Sequence, residues 1–236
     1  MSDMVTIKID GKKISARSGE NLLAVAKQNN IFIPSLCFHP KLTPTGACRL
    51  CIVKIKDQRG LVPACTVSVS DGMEVTAFDA ELEEARRYLL DYLLSEHNEA
   101  SDNSYDDEFK SLVARYGLDD PAKRQFPSLW KSLGYPLDDS SPVLTYDASK
   151  CVKCFRCIKA CDEVQGKKVL SFANRGITSH IIGGFGVWGE SECDGCGECI
   201  QLCPTGAIVE KPNREVLKTA TAKSNVISTC PYCGVG

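Results

Sequence analysis

CVKCFRCIKAC (residues 151–161) sets four cysteines in eleven residues, and CDGCGECIQLCP (residues 193–204) repeats the rhythm further along. Both runs read C-x2-C-x2-C-x3-C: Cys151, Cys154, Cys157 and Cys161, then Cys193, Cys196, Cys199 and Cys203, with Pro204 after the last. Three thiolates spaced by two residues wrap one corner of an iron–sulfur cubane, each meeting a different iron. The fourth lies on the helix that follows, points away and reaches the other cluster. The spacing therefore predicts one [4Fe–4S] cluster on Cys151, Cys154, Cys157 and Cys203, and a second on Cys193, Cys196, Cys199 and Cys161. Zinc ribbons use two separated C-x2-C knuckles, and a tetrahedral ion has no use for eight thiols in this order.

The rest of the composition narrows the setting. The chain has 236 residues, 14 of them cysteine, with 43% hydrophobic and 25% charged residues and a formal net charge of −2. That balance excludes a nucleic-acid binder built on basic excess and a disordered acidic chain. The start, MSDMVTIKID, lacks a secretory pattern, and no apolar run approaches the roughly 18 residues of a membrane span, so a cytoplasmic protein is expected. In a reducing compartment so many thiols are metal ligands rather than a disulfide framework.

Residues 4–17 read as a hairpin with its turn at Gly11-Lys12. Ser18 is the expected cap of a helix from about Glu20 to Asn29, with Leu22, Leu23, Val25 and Ala26 on its apolar face. A cysteine-bearing loop, the strand-like CIVKIK and a further strand in MEVTAF complete the order of a β-grasp ferredoxin. AELEEARRYLLDYLLSEH reads as a helix with Leu82, Ala85, Leu89 and Leu93 at helical spacing. The expected fold is α+β: a β-grasp [2Fe–2S] ferredoxin-like domain (1–79), a helical connector (80–146), a two-[4Fe–4S] bacterial-ferredoxin-like domain (147–212), and a tail (213–236). SHIIGGFGVWGE is expected to form a hairpin shielding one cluster. Its literal G-x-G-x-x-G, from Gly184 to Gly189, runs into a cysteine loop instead of opening a helix, so it reads as turn glycines.

Cys37, Cys48, Cys51 and Cys65 have the spacing C-x10-C-x2-C-x13-C, which by itself leaves a structural zinc as a competitor to a cluster. The stretch IPSLCFHPKLTPTGACRLCIVKI resembles the [2Fe–2S] domain of one family. Its members are the large NADH dehydrogenase subunit of respiratory complex I, the diaphorase small subunit of NAD-linked hydrogenases, iron-only hydrogenases, and NAD-linked formate dehydrogenase alpha subunits. The likeness spans nearly the whole chain and implies a [2Fe–2S] cluster on Cys37, Cys48, Cys51 and Cys65. His39, beside that loop, is expected to be a turn or surface residue.

In this family the helix after the first domain usually ends in H-x3-C-x2-C-x5-C, which ligates a further [4Fe–4S] cluster. Here His97 matches, but Ser101, Ser104 and Lys110 hold the cysteine positions. Neither a hydroxyl nor an ammonium replaces a thiolate, so this cluster is expected to be lost. His97 then becomes a helix-end residue whose charge suits the dipole. At the other end, STCPYCGVG resembles the start of the C-x2-C-x3-C motif that opens the catalytic domain of molybdenum or tungsten formate dehydrogenases. Cys230 and Cys233 would bind a further [4Fe–4S] cluster only with ligands from outside this chain.

No nucleophile–base pair, phosphate loop or flavin fingerprint is present, and closed cysteinyl clusters transfer single electrons. The expectation is an electron-transfer component of a multisubunit oxidoreductase, with no catalytic residue of its own. It would relay electrons between a flavin/NAD(H) subunit and a catalytic subunit or domain, first a molybdopterin-type formate dehydrogenase, alternatively an NAD-linked hydrogenase or NADH:quinone oxidoreductase. From another class, a zinc-stabilised interaction module is the competitor. Lys153, Arg156 and Lys159 in the first run, against Glu192, Asp194 and Glu198 at the second, predict the higher potential for the first cubane.

Overall fold

The computed structural model describes residues 3–99 and 108–211. Strands β1 (Met4–Ile9) and β2 (Lys12–Arg17) pair antiparallel with Ile9 opposite Lys12. The loop is therefore Asp10-Gly11, one residue before the expected turn, and both residues are left-handed (φ 48° and 79°), as a two-residue hairpin with right-handed strand twist requires. Helix α1 (Leu22–Gln28) starts later than expected, because Gly19 turns the chain at φ 83° and Asn21, not Ser18, is the cap. Asn21 accepts from the Ala24 N–H at 3.1 Å and donates to the Cys65 carbonyl at 2.6 Å, so the cap also fixes the last cysteine of the N-terminal set.

Strands β3 (Ile52–Ile55), β4 (Val62–Pro63) and β5 (Glu74–Thr76) complete a five-stranded sheet of order β2-β1-β5-β3-β4. Only β1 and β5 run parallel, which is the mixed sheet of a β-grasp fold. Ile7, Ile9, Leu22, Leu36 and Leu50 are buried in the core between this sheet, α1 and the cysteine loop.

Helix α2 (Ala80–Ser95) is capped by Asp79, whose carboxylate accepts from the Leu82 N–H at 2.8 Å. Its buried stripe is Leu82, Arg86, Leu90 and Leu94, while Ala85, Leu89 and Leu93 of the expected face are half-buried. Arg86 causes the rotation. Its guanidinium covers the sheet edge, donating to the Ile52 carbonyl and to Glu83, both at 2.6 Å. Helix α3 (Glu108–Arg115) packs Phe109, Leu112 and Val113 into the same core.

Strands β6 (Leu137–Asp138) and β7 (Leu144–Asp147) come next; then helix α4 (Arg156–Lys159) runs into a π-helical turn at Ala160–Val164 that carries Cys161. Strands β8 (Leu170–Ala173) and β9 (His180–Gly183) form an antiparallel hairpin, followed by helix α5 (Glu198–Leu202) and strand β10 (Ile208–Glu210). The last strand closes a three-stranded sheet of order β10-β7-β6, which ties residues 137–147 to the C-terminal cysteine region. The glycines at 184, 186 and 189 lie in the loop after β9 and open no helix, in keeping with turn glycines. No helix among the described residues is long and apolar enough to cross a membrane.

The two halves meet cysteine loop to cysteine loop. Arg156 donates to the Phe38 carbonyl at 2.8 Å, the Thr43 N–H donates to Glu163 at 2.7 Å, and Leu42 packs against Ala160 and Leu202. Farther along, the Asn98 N–H donates to the Ser149 carbonyl and the Phe109 N–H to the Pro204 carbonyl, at 2.8 and 3.1 Å.

Three candidate iron–sulfur centres

The N-terminal thiols converge in the interior. Cys37, Cys48, Cys51 and Cys65 are all buried, with Cys37 Sγ and Cys48 Sγ 3.4 Å apart. Cys37, Cys48 and Cys51 come from the loop between α1 and β3, where Gly46 and Arg49 take left-handed φ of 65° and 59° so that the backbone folds back on itself. Cys65 sits in a 3-10 turn just after β4. The Leu36 N–H points at Cys48 Sγ from 3.4 Å, the backbone-to-sulfur contact by which a protein stabilises a cysteinyl cluster. Hydrogen bonds from Cys48 and Cys65 hold the Cys37 thiol far below its usual range, and the same contacts together with burial push Cys48 and Cys65 up.

The two dense runs form two further sites, and their thiols cross over. Cys151, Cys154, Cys157 and Cys203 line one small cavity together with Tyr146, Phe155 and Ile181. Cys193, Cys196, Cys199 and Cys161 line a second with Leu144, Val169 and Trp188. In the first run Lys153 and Phe155 are left-handed (φ 53° and 69°); the matching residues of the second run are Gly195 and Gly197 (φ 70° and 81°). The repeat is thus one of backbone conformation as well as cysteine spacing. Amide N–H groups again face sulfur: Lys153 to Cys151 at 3.4 Å and Val169 to Cys161 at 3.3 Å. Tyr146 accepts from the Ile181 N–H at 3.1 Å and lines the cavity beside Cys151.

The donor chemistry fits clusters. Burial pushes the Cys151 thiol up to about 11 and Cys199 up to about 12, so thiolates at neutral pH in these cavities need bound cationic metal beside them. The eight thiols of the two runs surround their cavities from several sides, as ligands of a polynuclear group do. A wider cleft of about 650 Å³ opens beside the Cys37 loop, lined among others by Phe32, His39, Arg115 and Arg156; no cysteine lines it.

The remaining expectations fare unevenly. His39 lies half-exposed in a turn, its carbonyl accepting from the Leu42 N–H at 3.0 Å. His97 is not a charged helix-end residue. It is 4% exposed, packs edge-on against Phe109, and sets Nδ1 3.0 Å from the Lys150 carbonyl. Burial lowers its pKa to about 4, so it is neutral and has no charge to offer the dipole. Lys110 is exposed on α3, while Ser101, Ser104, Cys230 and Cys233 lie outside the described residues. The charge contrast between the two runs is largely cancelled by pairing. Lys153, Arg156 and Lys159 meet Glu96, Glu108 and Glu163 at 2.7, 2.7 and 2.8 Å, and Asp194 meets Lys167 at 2.8 Å. The predicted order of potentials loses its basis. Three residues gain a role only in the structure. Tyr146 and Trp188 stack their rings at 5.6 Å with one in each cavity wall, and Arg156 bridges the halves. In the sequence only the crowding of Arg156 by cysteines on either side signals it.

A β-grasp sheet and a crossed double cysteine run define a multicluster ferredoxin-type protein, and comparison with known proteins gives the family. Residues 2–79 match the 2Fe-2S iron-sulfur cluster binding domain, and residues 141–209 match the ferredoxin-like domain of NADH-quinone oxidoreductase subunit 3. The gamma subunit of the NAD-reducing hydrogenase HoxS of Cupriavidus necator is 31% identical, over 88% of this chain and 87% of its own length. The second G-type subunit of NADH-quinone oxidoreductase of Rhizobium meliloti is 32% identical over 99% of this chain. NADP-reducing hydrogenase subunit HndD of Solidesulfovibrio fructosivorans is 34% identical over 88% of it. The chain spans only 27% and 36% of the lengths of the latter two. Among solved structures, the crystal structure of NAD+-reducing [NiFe]-hydrogenase in the H2-reduced state superposes with a TM-score of 0.77 at 27% identity, covering 88% of this chain and 87% of that one. The chain belongs to the family of iron–sulfur subunits that includes the HoxS gamma subunit and the G-type subunits of NADH-quinone oxidoreductase. Its cofactors are a [2Fe–2S] cluster and [4Fe–4S] clusters.

Proposed function

We propose that this chain is an electron relay in an NAD(H)-linked hydrogenase or NADH:quinone oxidoreductase-type complex. Cys37, Cys48, Cys51 and Cys65 would hold the [2Fe–2S] cluster. Cys151, Cys154, Cys157 and Cys203 would hold one cubane, and Cys193, Cys196, Cys199 and Cys161 the other. The chain would divide into residues 1–79, 80–146, 147–212 and a tail, with β6 and β7 at the end of the second segment completing the sheet of the third. When bound, the clusters supply one-electron transfer. The chain's own residues bury the thiols, aim amide N–H groups at sulfur and press the Cys37 loop onto α4, so that the sites adjoin.

One observation carries this reading: the eight thiols of the two runs sort into two crossed sets of four around two cavities. An exposed Cys196, the most open thiol among the described residues, makes the second cubane the end where a partner exchanges electrons. The flavin/NAD(H) subunit would then face the [2Fe–2S] half. The names of the relatives favour a hydrogenase or quinone-linked terminus; the formate dehydrogenase reading rests on STCPYCGVG alone, outside the described residues. Anaerobic iron and sulfide analysis with EPR tests the proposal. About ten irons per chain are expected, one two-iron and two four-iron centres, all reducible by NADH in the assembled complex. Colourless protein carrying zinc would reject the relay in favour of a structural metal module.

A further inference from the structure

We infer that Trp188 tunes the second cubane by donating its indole N–H to sulfur of that centre, an inference that rests on the ligand sets proposed above. Trp188 is 1% exposed, lines the cavity of Cys161, Cys193, Cys196 and Cys199, and its Nε1 has no hydrogen-bond partner. An indole N–H only donates, and leaving it buried and unpaired is costly enough that native structures nearly always satisfy it. Its backbone is already committed. The Trp188 N–H donates to Asp138 at 2.8 Å and its carbonyl accepts from the Ser191 hydroxyl at 2.6 Å, while the ring stacks on Tyr146 at 5.6 Å and 20°. Gly183 also has no room for a side chain, because a Cβ there would stand 2.8 Å from Trp188 Cα. The residue is therefore held in one place with one free donor, in the wall of a cavity whose proposed contents are rich in sulfur acceptors.

The two cavities differ in their aromatic walls. Tyr146 lines the first site with its hydroxyl already bonded to the Ile181 N–H, whereas Trp188 lines the second with its indole N–H unpaired. A hydrogen bond to cluster sulfur stabilises the reduced, more negative state and so raises the midpoint potential. Trp188 is thus a positioning and tuning residue that makes the second cubane a better electron acceptor.

The test uses the full chain with its clusters, comparing Trp188→Phe with replacement of Trp188 by benzothienylalanine, which keeps the bicyclic shape and removes the N–H. Trp130→Phe serves as the control. Expected are an unchanged iron content, a fall in the midpoint potential of one [4Fe–4S] signal only, and loss of one exchangeable proton coupling in the ENDOR spectrum of that signal. The shifted signal should be the one missing from Cys161→Ala. Unchanged potentials and proton couplings in the iron-replete benzothienylalanine protein would overturn the inference. Wild-type protein with a single cubane would instead overturn the ligand assignment beneath it.

Discussion

The guanidinium of Arg156 donates to the Phe38 carbonyl at 2.8 Å, and so joins the residue after Cys37 to the helix that carries Cys157. The same buried side chain grips Glu108 with both terminal nitrogens, at 2.7 and 2.9 Å, and its charge acts on Cys154 as well as Cys37. One fork thus locks the N-terminal half to the helix of the first cysteine run. Lysine cannot make the three bonds together, so Arg156→Lys should lower stability by about 2 kcal/mol, read from the urea midpoint under anaerobic conditions. Arg156→Gln should lose a similar amount. It alone should also lower the midpoint potentials of the [2Fe–2S] cluster and one cubane, because it removes a positive charge from between them. Equal potentials in the glutamine and lysine variants would show that the fork is purely mechanical.

The two left-handed residues of each run make separate demands. Gly197 sits at φ 81° with nothing within 4 Å of where a Cβ would stand, so Gly197→Ala introduces backbone strain alone. The expected cost is about 1–2 kcal/mol. Gly195 has φ 70° and would also place its Cβ 2.7 Å from Val143 Cγ2. Gly195→Ala should cost more and lower the iron content, and Val143→Ala should restore part of the loss. Thermal unfolding and iron analysis of the double variant check this. No recovery would mean that φ alone decides.

His97 makes stability depend on pH. The Lys150 carbonyl can only accept, so Nδ1 carries the proton and the ring is neutral, with a folded pKa of about 4 against the ordinary 6.5. Below 6.5 the unfolded chain takes up a proton that the folded chain refuses, so stability falls as pH drops toward 4. Between pH 7 and pH 5 the loss is about 2 kcal/mol. His97→Asn keeps a donor for Lys150 and does not titrate. Comparing the two proteins in urea cancels the acid lability that the clusters impose on both. The wild type should lose about 2 kcal/mol relative to the variant over that interval, and parallel curves would place His97 in water.

Cysteine spacing anticipates the two sets of four thiols that line the two cavities, because three cysteines two residues apart share one corner and the fourth lies on the helix beyond. The β-grasp order is legible in part from periodicity: alternating residues in β1 and β2 have one face to bury. What sequence does not reveal comes from contacts between distant segments. The stripe of α2 turns on Arg86 finding the Ile52 carbonyl, and no periodicity encodes a buried arginine. His97 reads as a charged helix end only because its neighbours in space, Phe109 and Lys150, belong to other elements. The charges along the first run read as a field, yet each meets a carboxylate, Glu96 and Glu108 from other elements and Glu163 from the turn beyond α4.

The crossing of ligands between the runs admits a direct test, since the two sites differ in exposure. Cys196 opens the second site to solvent, whereas Cys154 and Cys157 are buried in the first. Removing Cys203, which lies in the second run, should therefore eliminate the enclosed cubane and leave the open one. Removing Cys161, from the first run, should do the reverse. Both Cys203→Ala and Cys161→Ala should fall from about ten irons to about six. The iron that remains should be stripped rapidly by a hydrophilic chelator in Cys203→Ala and slowly in Cys161→Ala. If each run instead held its own cluster, the rates would be exchanged, with Cys203→Ala retaining the protected centre.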